Sequence, residues 1–133
     1  MVMKIEVIIP AKIICKIQAD EVILPGLTGQ IGILKGHAAL ITGLETGLLR
    51  IKLNGKWTPI ILSGGLAEIK NDEIVVLTNY AEEVVGVKLE EATKKLENVA
   101  ASLENAQTSK ERLDASLELK KAMARLEAIN FLS

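Results

Sequence analysis

"GQIGILKGHAALITGLETGLLRI", residues 29–51, decides how this chain folds, because glycines interrupt what is otherwise a run of Ile and Leu. The only histidine of the chain, His37, lies within this stretch. A phosphate-binding loop would need G-x-x-x-x-G-K-[ST] or G-x-G-x-x-G between a strand and a helix. Neither pattern occurs here. We therefore expect the glycines to allow tight turns and close backbone packing within a sheet.

The stretch belongs to an N-terminal part, residues 1–86, in which short aliphatic segments are separated by turn signals. A spacing of roughly 8 to 12 residues between such signals is typical of a β-sandwich of short antiparallel strands. In "KIICKIQ", the residues Ile13, Cys15 and Ile17 occupy alternate positions. This alternation predicts a strand with one buried face.

Two dipeptides mark hairpins in this part of the chain. Asn54-Gly55 follows "LLRIKL" and predicts a type I′ turn, because both turn positions need a positive φ. Asn71-Asp72 predicts a second hairpin. Pro59 lies in the returning strand "KWTPIIL" and indicates a sheet edge or a bulge there, since proline cannot donate to a strand ladder.

The last part of the chain, residues 87–133, contains no glycine or proline and has helical periodicity. Thr108 and Glu111 form a capping-box pattern that predicts the start of a second helix. Two apolar stripes predict that the helices pack as an antiparallel hairpin. The stripe residues are Leu89, Ala92, Leu96, Val99, Leu103 and Ala106 on the first helix, and Ala115, Leu119, Ala122, Leu126 and Ile129 on the second. Because alanines dilute these stripes, we expect the hairpin to separate at modest cost.

Composition excludes several classes of function. The 133 residues carry 16 basic and 17 acidic side chains, so net charge gives no reason to expect binding to nucleic acid or anionic lipid. One cysteine cannot form an internal disulfide, and metal-ligand spacing is absent from the sequence. No apolar run reaches the roughly 18 residues of a membrane span, and Glu6 interrupts the N-terminal apolar stretch, unlike a signal peptide.

The sequence pairs His37 with no nucleophile, acid or metal ligand, so we expect no catalytic residues, no metal and no cofactor. A small hydrolase built around His37 remains one alternative, and a sandwich adaptor whose hairpin joins another coiled coil is a second. Lys120, Lys121 and Arg125 form a basic cluster on the second helix. The cluster either complements the helix dipole or docks on an acidic partner.

Four segments carry a resemblance to a known family: "VILPGLTGQIGILKGHAALITGLETGLLRI", "ILSGGLAEI", "IVVLTNYAEE" and "LDASLELKKAMARLEA". Together they resemble the epsilon subunit of the F-type ATP synthases over the whole chain, with plastid and cyanobacterial members the most similar. The resemblance implies a non-catalytic rotor subunit of the central stalk. It also implies a β-sandwich domain over residues 1–86 and a regulatory helical hairpin over residues 87–133 that restrains ATP hydrolysis.

The resemblance implies the partners as well. Thr28, Gly29 and Gln30 would contact the ring of c subunits, and Gly36, His37 and Ala38 would contact the gamma subunit. Lys120, Lys121 and Arg125 would transiently touch an acidic segment of a beta subunit in the alpha/beta catalytic head. A delta-type central-stalk partner is not expected.

The implied location is the stromal face of the chloroplast thylakoid membrane, or the cytoplasmic face of the membrane if the chain is bacterial, with only peripheral membrane contact. Several bacterial relatives carry a nucleotide-binding pattern [IL]-D-x-x-R-A on the first helix. The matching segment here is "LEEATK", which lacks the arginine, so we do not expect ATP binding. Whether the hairpin lies folded on the sandwich or extends away from it stays open at this stage.

Overall fold

The computed structural model describes residues 2–84 and 89–132, and the domain boundary expected at residues 86 and 87 lies outside them. Eight strands precede two helices. The strands are β1 (Met3–Ile9), β2 (Lys12–Ala19), β3 (Glu21–Gly26), β4 (Gly29–Leu34), β5 (Leu40–Leu53), β6 (Lys56–Lys70), β7 (Glu73–Leu77) and β8 (Ala81–Glu83). The helices are α1 (Leu89–Glu104) and α2 (Ser109–Leu132). The expected order of a β-domain followed by a helical hairpin is confirmed.

Strands β5 and β6 organise the sandwich, because they pair with each other along their whole length. The strand order is β2-β1-β7-β6-β5-β3-β4, and β8 also pairs with β6. The register stays constant along the ladder, but no pair joins Glu45 and Gly64 between Leu44 opposite Gly65 and Thr46 opposite Ser63. The glycines near this point let both strands turn from one layer of the sandwich into the other.

One strand pair differs from the expected antiparallel pattern. β1 runs parallel to β7, with Ile5 opposite Ile74 and Val7 opposite Val76. Strands so far apart in sequence pair only once the chain has folded around β5 and β6, so periodicity within either strand does not reveal their relative direction.

The strands β5 and β6 are also longer than expected, at 14 and 15 residues.

The core fills the space between the two layers with aliphatic side chains from alternate strand positions. Its largest fully buried members are Met3, Ile5, Leu24, Ile33, Leu49, Ile51, Ile60, Leu62, Ile69 and Ile74. Both predicted hairpin turns are confirmed, since Asn54, Gly55, Asn71 and Asp72 all have positive φ. The arrangement is a closed apolar interior with its turns at the surface.

Pro59 lies within β6, opposite Arg50 of β5. Its carbonyl accepts a hydrogen bond from Val84, so its nitrogen faces the same side, away from β5. The missing N–H therefore costs no bond between β5 and β6. On the other side of β6 the pairs with β8 run only from Ile60 to Leu62, so Pro59 lies where that ladder ends, without a bulge.

The buried face expected for β2 is wrong in part. Ile13 and Ile17 are 53% and 37% exposed, whereas Ile14 and Cys15 pack against the core. β2 is an edge strand, and a bulge leaves Ile14 between the pairs of Val7 with Cys15 and of Ile8 with Ile13. The bulge breaks the alternation of faces on which the prediction depended.

The predicted helical hairpin forms, and its stripe residues are buried or half-buried except Leu89, which is exposed. Thr108 caps α2 by accepting the backbone N–H of Glu111, but the Glu111 carboxylate accepts from Gln107 rather than from Thr108. The hairpin lies folded on the sandwich through α2. Within the described ranges, no helix is both long enough and apolar enough to cross a membrane.

Candidate functional site

The strongest polar contact between hairpin and sandwich joins Arg125 of α2 to Glu82 of β8. The Arg125 Nε and Nη2 atoms donate to the two carboxylate oxygens of Glu82 at 2.9 and 2.8 Å. Arg125 is only 7% exposed, and the pair is bidentate, which is the strongest geometry for this type of bond. The pair raises the pKa of Arg125 further above its usual range, mainly through the hydrogen bonds to Glu82.

Two further residues complete what we call the hairpin clamp, which consists of Tyr80, Glu82, Lys121 and Arg125. The Tyr80 hydroxyl donates to Glu82, and the Lys121 Nζ lies 3.9 Å from the centre of the Tyr80 ring. Burial, followed by the hydrogen bond to Glu82, raises the pKa of Tyr80 to about 12, so the hydroxyl keeps its proton at neutral pH. The four side chains thus form one connected polar network across the hairpin and the sandwich.

The three cations predicted to contact a beta subunit therefore all have partners within this chain. Arg125 is bound by Glu82, Lys121 also lies 3.4 Å from Glu118, and Lys120 lies 3.9 Å from Glu45 of β5. The Lys120 pair is exposed and contributes little stability. Of these three pairs, the bidentate pair of Arg125 with Glu82 contributes most to the stability of the docked hairpin.

Under the clamp, the contact between α2 and the sandwich is apolar and made by small residues. Ala124 and Ala128 pack against Leu48, Ile61 and Val84, and all of these side chains are buried. Burial of an alanine stabilises much less than burial of a leucine. Because α2 also covers Leu48, Ile61 and Val84, apolar burial and the polar contacts hold the hairpin down together.

The loop predicted to face a c ring is the tip of the β3–β4 hairpin. Thr28, Gly29 and Gln30 are exposed there, and so is Leu27. Gly29 has a φ of 132°, a conformation that side chains strongly disfavour. The tip presents backbone, small polar groups and the Leu27 side chain to its surroundings.

The residues predicted to contact a gamma subunit lie at the other end of β4. The Gly36 N–H donates to Asp72 Oδ1 at 2.7 Å, and the His37 Nδ1 lies 2.7 Å from the carbonyl oxygen of Ala38. A carbonyl only accepts, so Nδ1 carries the proton in this contact. β4 spans about 20 Å, so Thr28 and His37 lie at opposite ends of the β3–β4 hairpin.

The comparisons with known proteins agree with this geometry. Residues 2–84 match the family described as "ATP synthase, Delta/Epsilon chain, beta-sandwich domain". The chain is 67% identical, over the full length of both proteins, to the chloroplastic ATP synthase epsilon chain of Phaeodactylum tricornutum. It is 65% identical over the full length to that of Trieres chinensis.

The chain belongs to the ATP synthase epsilon chain family. It groups with the chloroplastic members, as the resemblance implied, and it is a subunit of the complex rather than a catalytic subunit. This membership displaces both alternatives, the hydrolase and the unrelated adaptor.

Two solved structures share the fold. A chain of the Euglena gracilis mitochondrial ATP synthase matches with a TM-score of 0.77 and 21% identity, covering 94% of this chain and 79% of that one. A chain from the Tetrahymena thermophila mitochondrial ATP synthase central stalk and c ring matches with a TM-score of 0.60 and 12% identity, covering 95% of each. At these identities the likeness concerns architecture alone.

Sequence reasoning found the cations of the clamp and missed their partners. Tyr80 and Glu82 fall within "IVVLTNYAEE", a segment that carried the family resemblance, yet nothing local distinguishes Glu82 from Glu83. In the structure Glu82 faces α2 and Glu83 is exposed. The alternation of faces in β8 explains the difference, and only the position of α2 makes it matter.

Acid should weaken the clamp. Hydrogen bonds from Arg125 hold the pKa of Glu82 below its ordinary value of 4.5, against the opposing effect of burial. Tyr80 and Lys95 lower it further. A carboxyl with a lowered pKa in the folded protein contributes stability above its unfolded pKa and loses that contribution as pH falls through the folded value.

We therefore expect the hairpin to stay equally well docked from about pH 6 to about pH 8 and to loosen below about pH 4. A carbon NMR titration of the Glu82 carboxyl checks this, with Arg125→Met as the comparison. The midpoint should lie lower in the wild type than in the variant. Equal midpoints would show that the clamp does not stabilise the ionised carboxylate.

Proposed function

We propose that this chain is a rotor subunit of the central stalk, linking the gamma subunit to the c ring, and that its hairpin restrains ATP hydrolysis once released from the sandwich. The observation that carries the regulatory part is the clamp. In the folded posture the sandwich itself occupies the cations of α2 with Glu45 and Glu82. Lys120 is exposed, but Arg125 is buried and reaches an acidic partner only when the hairpin leaves, so the folded posture is the permissive one.

Support for the docking role comes from an apolar row on the outer face of the sandwich. Ile8 pairs with Ile13 on one side and Leu77 on the other, and Leu77 pairs with Leu66. The row continues to Leu27, whose side chain covers Gly43 beside Leu66. Of these residues Ile13, Leu77, Leu66 and Leu27 are exposed.

A contiguous exposed apolar surface is typical of a protein interface. We assign Ile13, Leu66 and Leu77 of this row to the gamma subunit, together with the end of the sandwich that carries Gly36, His37 and Ala38; Leu27, at the end of the row, belongs to the β3–β4 tip. The exposed β3–β4 tip, with Thr28, Gly29 and Gln30, is assigned to the c ring. The names of the Tetrahymena and Euglena structures include a c ring, which supports a c ring as a partner of this chain. The chain then lies at the stromal face of the thylakoid, consistent with its chloroplastic relatives.

The test is to add the chain to an ATPase core that lacks it and to compare the full-length protein with a version ending at Val84. Both should bind the core with similar affinity, because the docking surfaces belong to the sandwich. Only the full-length protein should slow ATP hydrolysis. If the shortened version also inhibited ATP hydrolysis, the hairpin would not be responsible for inhibition. If the shortened version failed to bind the core, the sandwich would not be sufficient for docking.

A further inference from the structure

The last turn of α2 is fastened to the sandwich by a second set of contacts, separate from the clamp. The Phe131 ring meets the Trp57 ring edge to face, with centroids 5.4 Å apart and planes at 77°. The guanidinium of Arg50 lies 4.8 Å from the centre of the Phe131 ring. Arg50 also pairs with Glu127, one turn earlier on α2. We call these four residues the end latch.

Arg50 both stabilises the end latch and adds a free-energy cost to it. Its side chain is only 11% exposed, and its Nε is buried without a hydrogen-bond partner among the described residues. A buried donor without a hydrogen-bond partner destabilises the folded arrangement, and this cost disappears when the donor becomes exposed and binds water. Docking of α2 therefore carries a penalty at Arg50 that the contacts of Phe131 and Glu127 must offset.

The end latch and the clamp act on different parts of α2. Arg125 and Phe131 are about 9 Å apart along the helix axis, and the small side chain of Ala128 packs between them. Between the two points, Ala124, Ala128 and Ile129 make apolar contacts with the sandwich. Loss of either point should therefore lower the free energy needed to release α2 without abolishing its docking.

We propose that the end latch is a regulatory contact: Phe131, seated between Arg50 and Trp57, sets the fraction of molecules in which the hairpin has left the sandwich. The effect on ATP hydrolysis rests on the proposed function, whereas the effect on posture does not. Phe131 acts through the position of α2 and belongs to neither the clamp nor the assigned docking surfaces.

The test compares Phe131→Ala with Leu113→Ala in the full-length chain. Leu113 is a matched control because it also lies on α2 and is 70% exposed. Phe131→Ala should raise the released fraction about tenfold, from the loss of an aromatic pair and a cation–π contact. Amide exchange in residues 120–131 should speed up accordingly, while exchange in the strands stays unchanged.

Trp57 supplies a second measurement, because it is the only tryptophan of the chain. Acrylamide should quench its fluorescence more strongly in Phe131→Ala than in Leu113→Ala, and Phe131→Tyr, which keeps the ring, should restore the wild-type value. Unchanged exchange and quenching in Phe131→Ala would overturn the end latch. A failed rescue by tyrosine would also count against it.

Adding the same variants to the ATPase core separates the two proposals. Stronger inhibition by Phe131→Ala than by Leu113→Ala supports both. Faster exchange in α2 with unchanged inhibition keeps the end latch and contradicts the proposed braking role of the hairpin. Unchanged exchange, with the full-length wild type still inhibiting, contradicts the end latch and keeps the proposed function.

Discussion

Replacing Gly65 with alanine is expected to lower the free energy of unfolding of the sandwich by about 3 kcal/mol or more. Gly65 has a φ of 131°, and a Cβ built there would lie 2.1 Å from the carbonyl oxygen of Leu77. That oxygen belongs to the backbone of β7 and cannot move without disturbing the sheet. The variant therefore has to separate β6 from β7 or change the bend of β6.

The measurement is urea unfolding followed by circular dichroism, with Gly32→Ala as the control. A Cβ at Gly32 meets no heavy atom within 4 Å, and its φ is not among the positive ones. We expect Gly32→Ala to change stability by less than about 1 kcal/mol, since alanine there only restricts the unfolded chain. Similar losses in both variants would show that the bend tolerates a side chain.

The position of Gly65 explains why so large an effect is expected. Gly64 and Gly65 lie where β6 turns between the two layers, and the Thr78 hydroxyl donates to the Gly64 carbonyl at 2.7 Å. Thr78 is buried, so this bond replaces contact with water. The apolar row of Leu66 and Leu77 begins directly after the bend, and its shape depends on this geometry.

Replacing Glu82 with glutamine is expected to strengthen inhibition of ATP hydrolysis, whereas Arg125→Ala is expected not to. Both changes break the bidentate pair and should destabilise docking by about 2 kcal/mol, which increases the released fraction about 30-fold. Glu82→Gln leaves Arg125 in place to meet an acidic partner. Arg125→Ala removes the proposed contact residue together with the clamp.

Amide exchange in α2 measures the release, and inhibition of an ATPase core lacking this chain measures its consequence. The control is Glu83→Gln, since Glu83 is the exposed neighbour of Glu82 on the same strand. Glu83→Gln should leave both measurements unchanged. Equal inhibition by the Glu82 and Arg125 variants would show that Arg125 does not contact the catalytic head. Equal amide exchange in the Glu82 and Glu83 variants would show that Glu82 does not hold the hairpin on the sandwich.

Local patterns predicted local structure well. Asn54-Gly55 and Asn71-Asp72 predicted both tight hairpins because a positive φ is a property of those few residues. The change of period near residue 86 separated the strands from the helices, and Thr108 marked the start of α2. These features depend on neighbours within a few positions, which a single sequence displays.

The prediction for β2 shows where local patterns fail. Its alternation predicts one buried face, but an edge strand has a neighbour on one side only, and a bulge at Ile14 changes the register. Edge position is a property of the assembled sheet. The predicted contacts at Thr28, Gly29, Gln30, Gly36, His37 and Ala38 remain predictions. The structure adds that the two groups lie at opposite ends of β4.

The sequence by itself determined the family, the order of the β-domain and the hairpin, the turns, and the cations of α2, because each depends on residue type and short spacing. The tertiary structure alone decided that β1 runs parallel to β7 and that the hairpin lies folded. It also decided which acid binds Arg125, since Glu82 lies 43 positions away along the chain. Contacts at such separation exist only after burial of the core has brought distant strands and helices together.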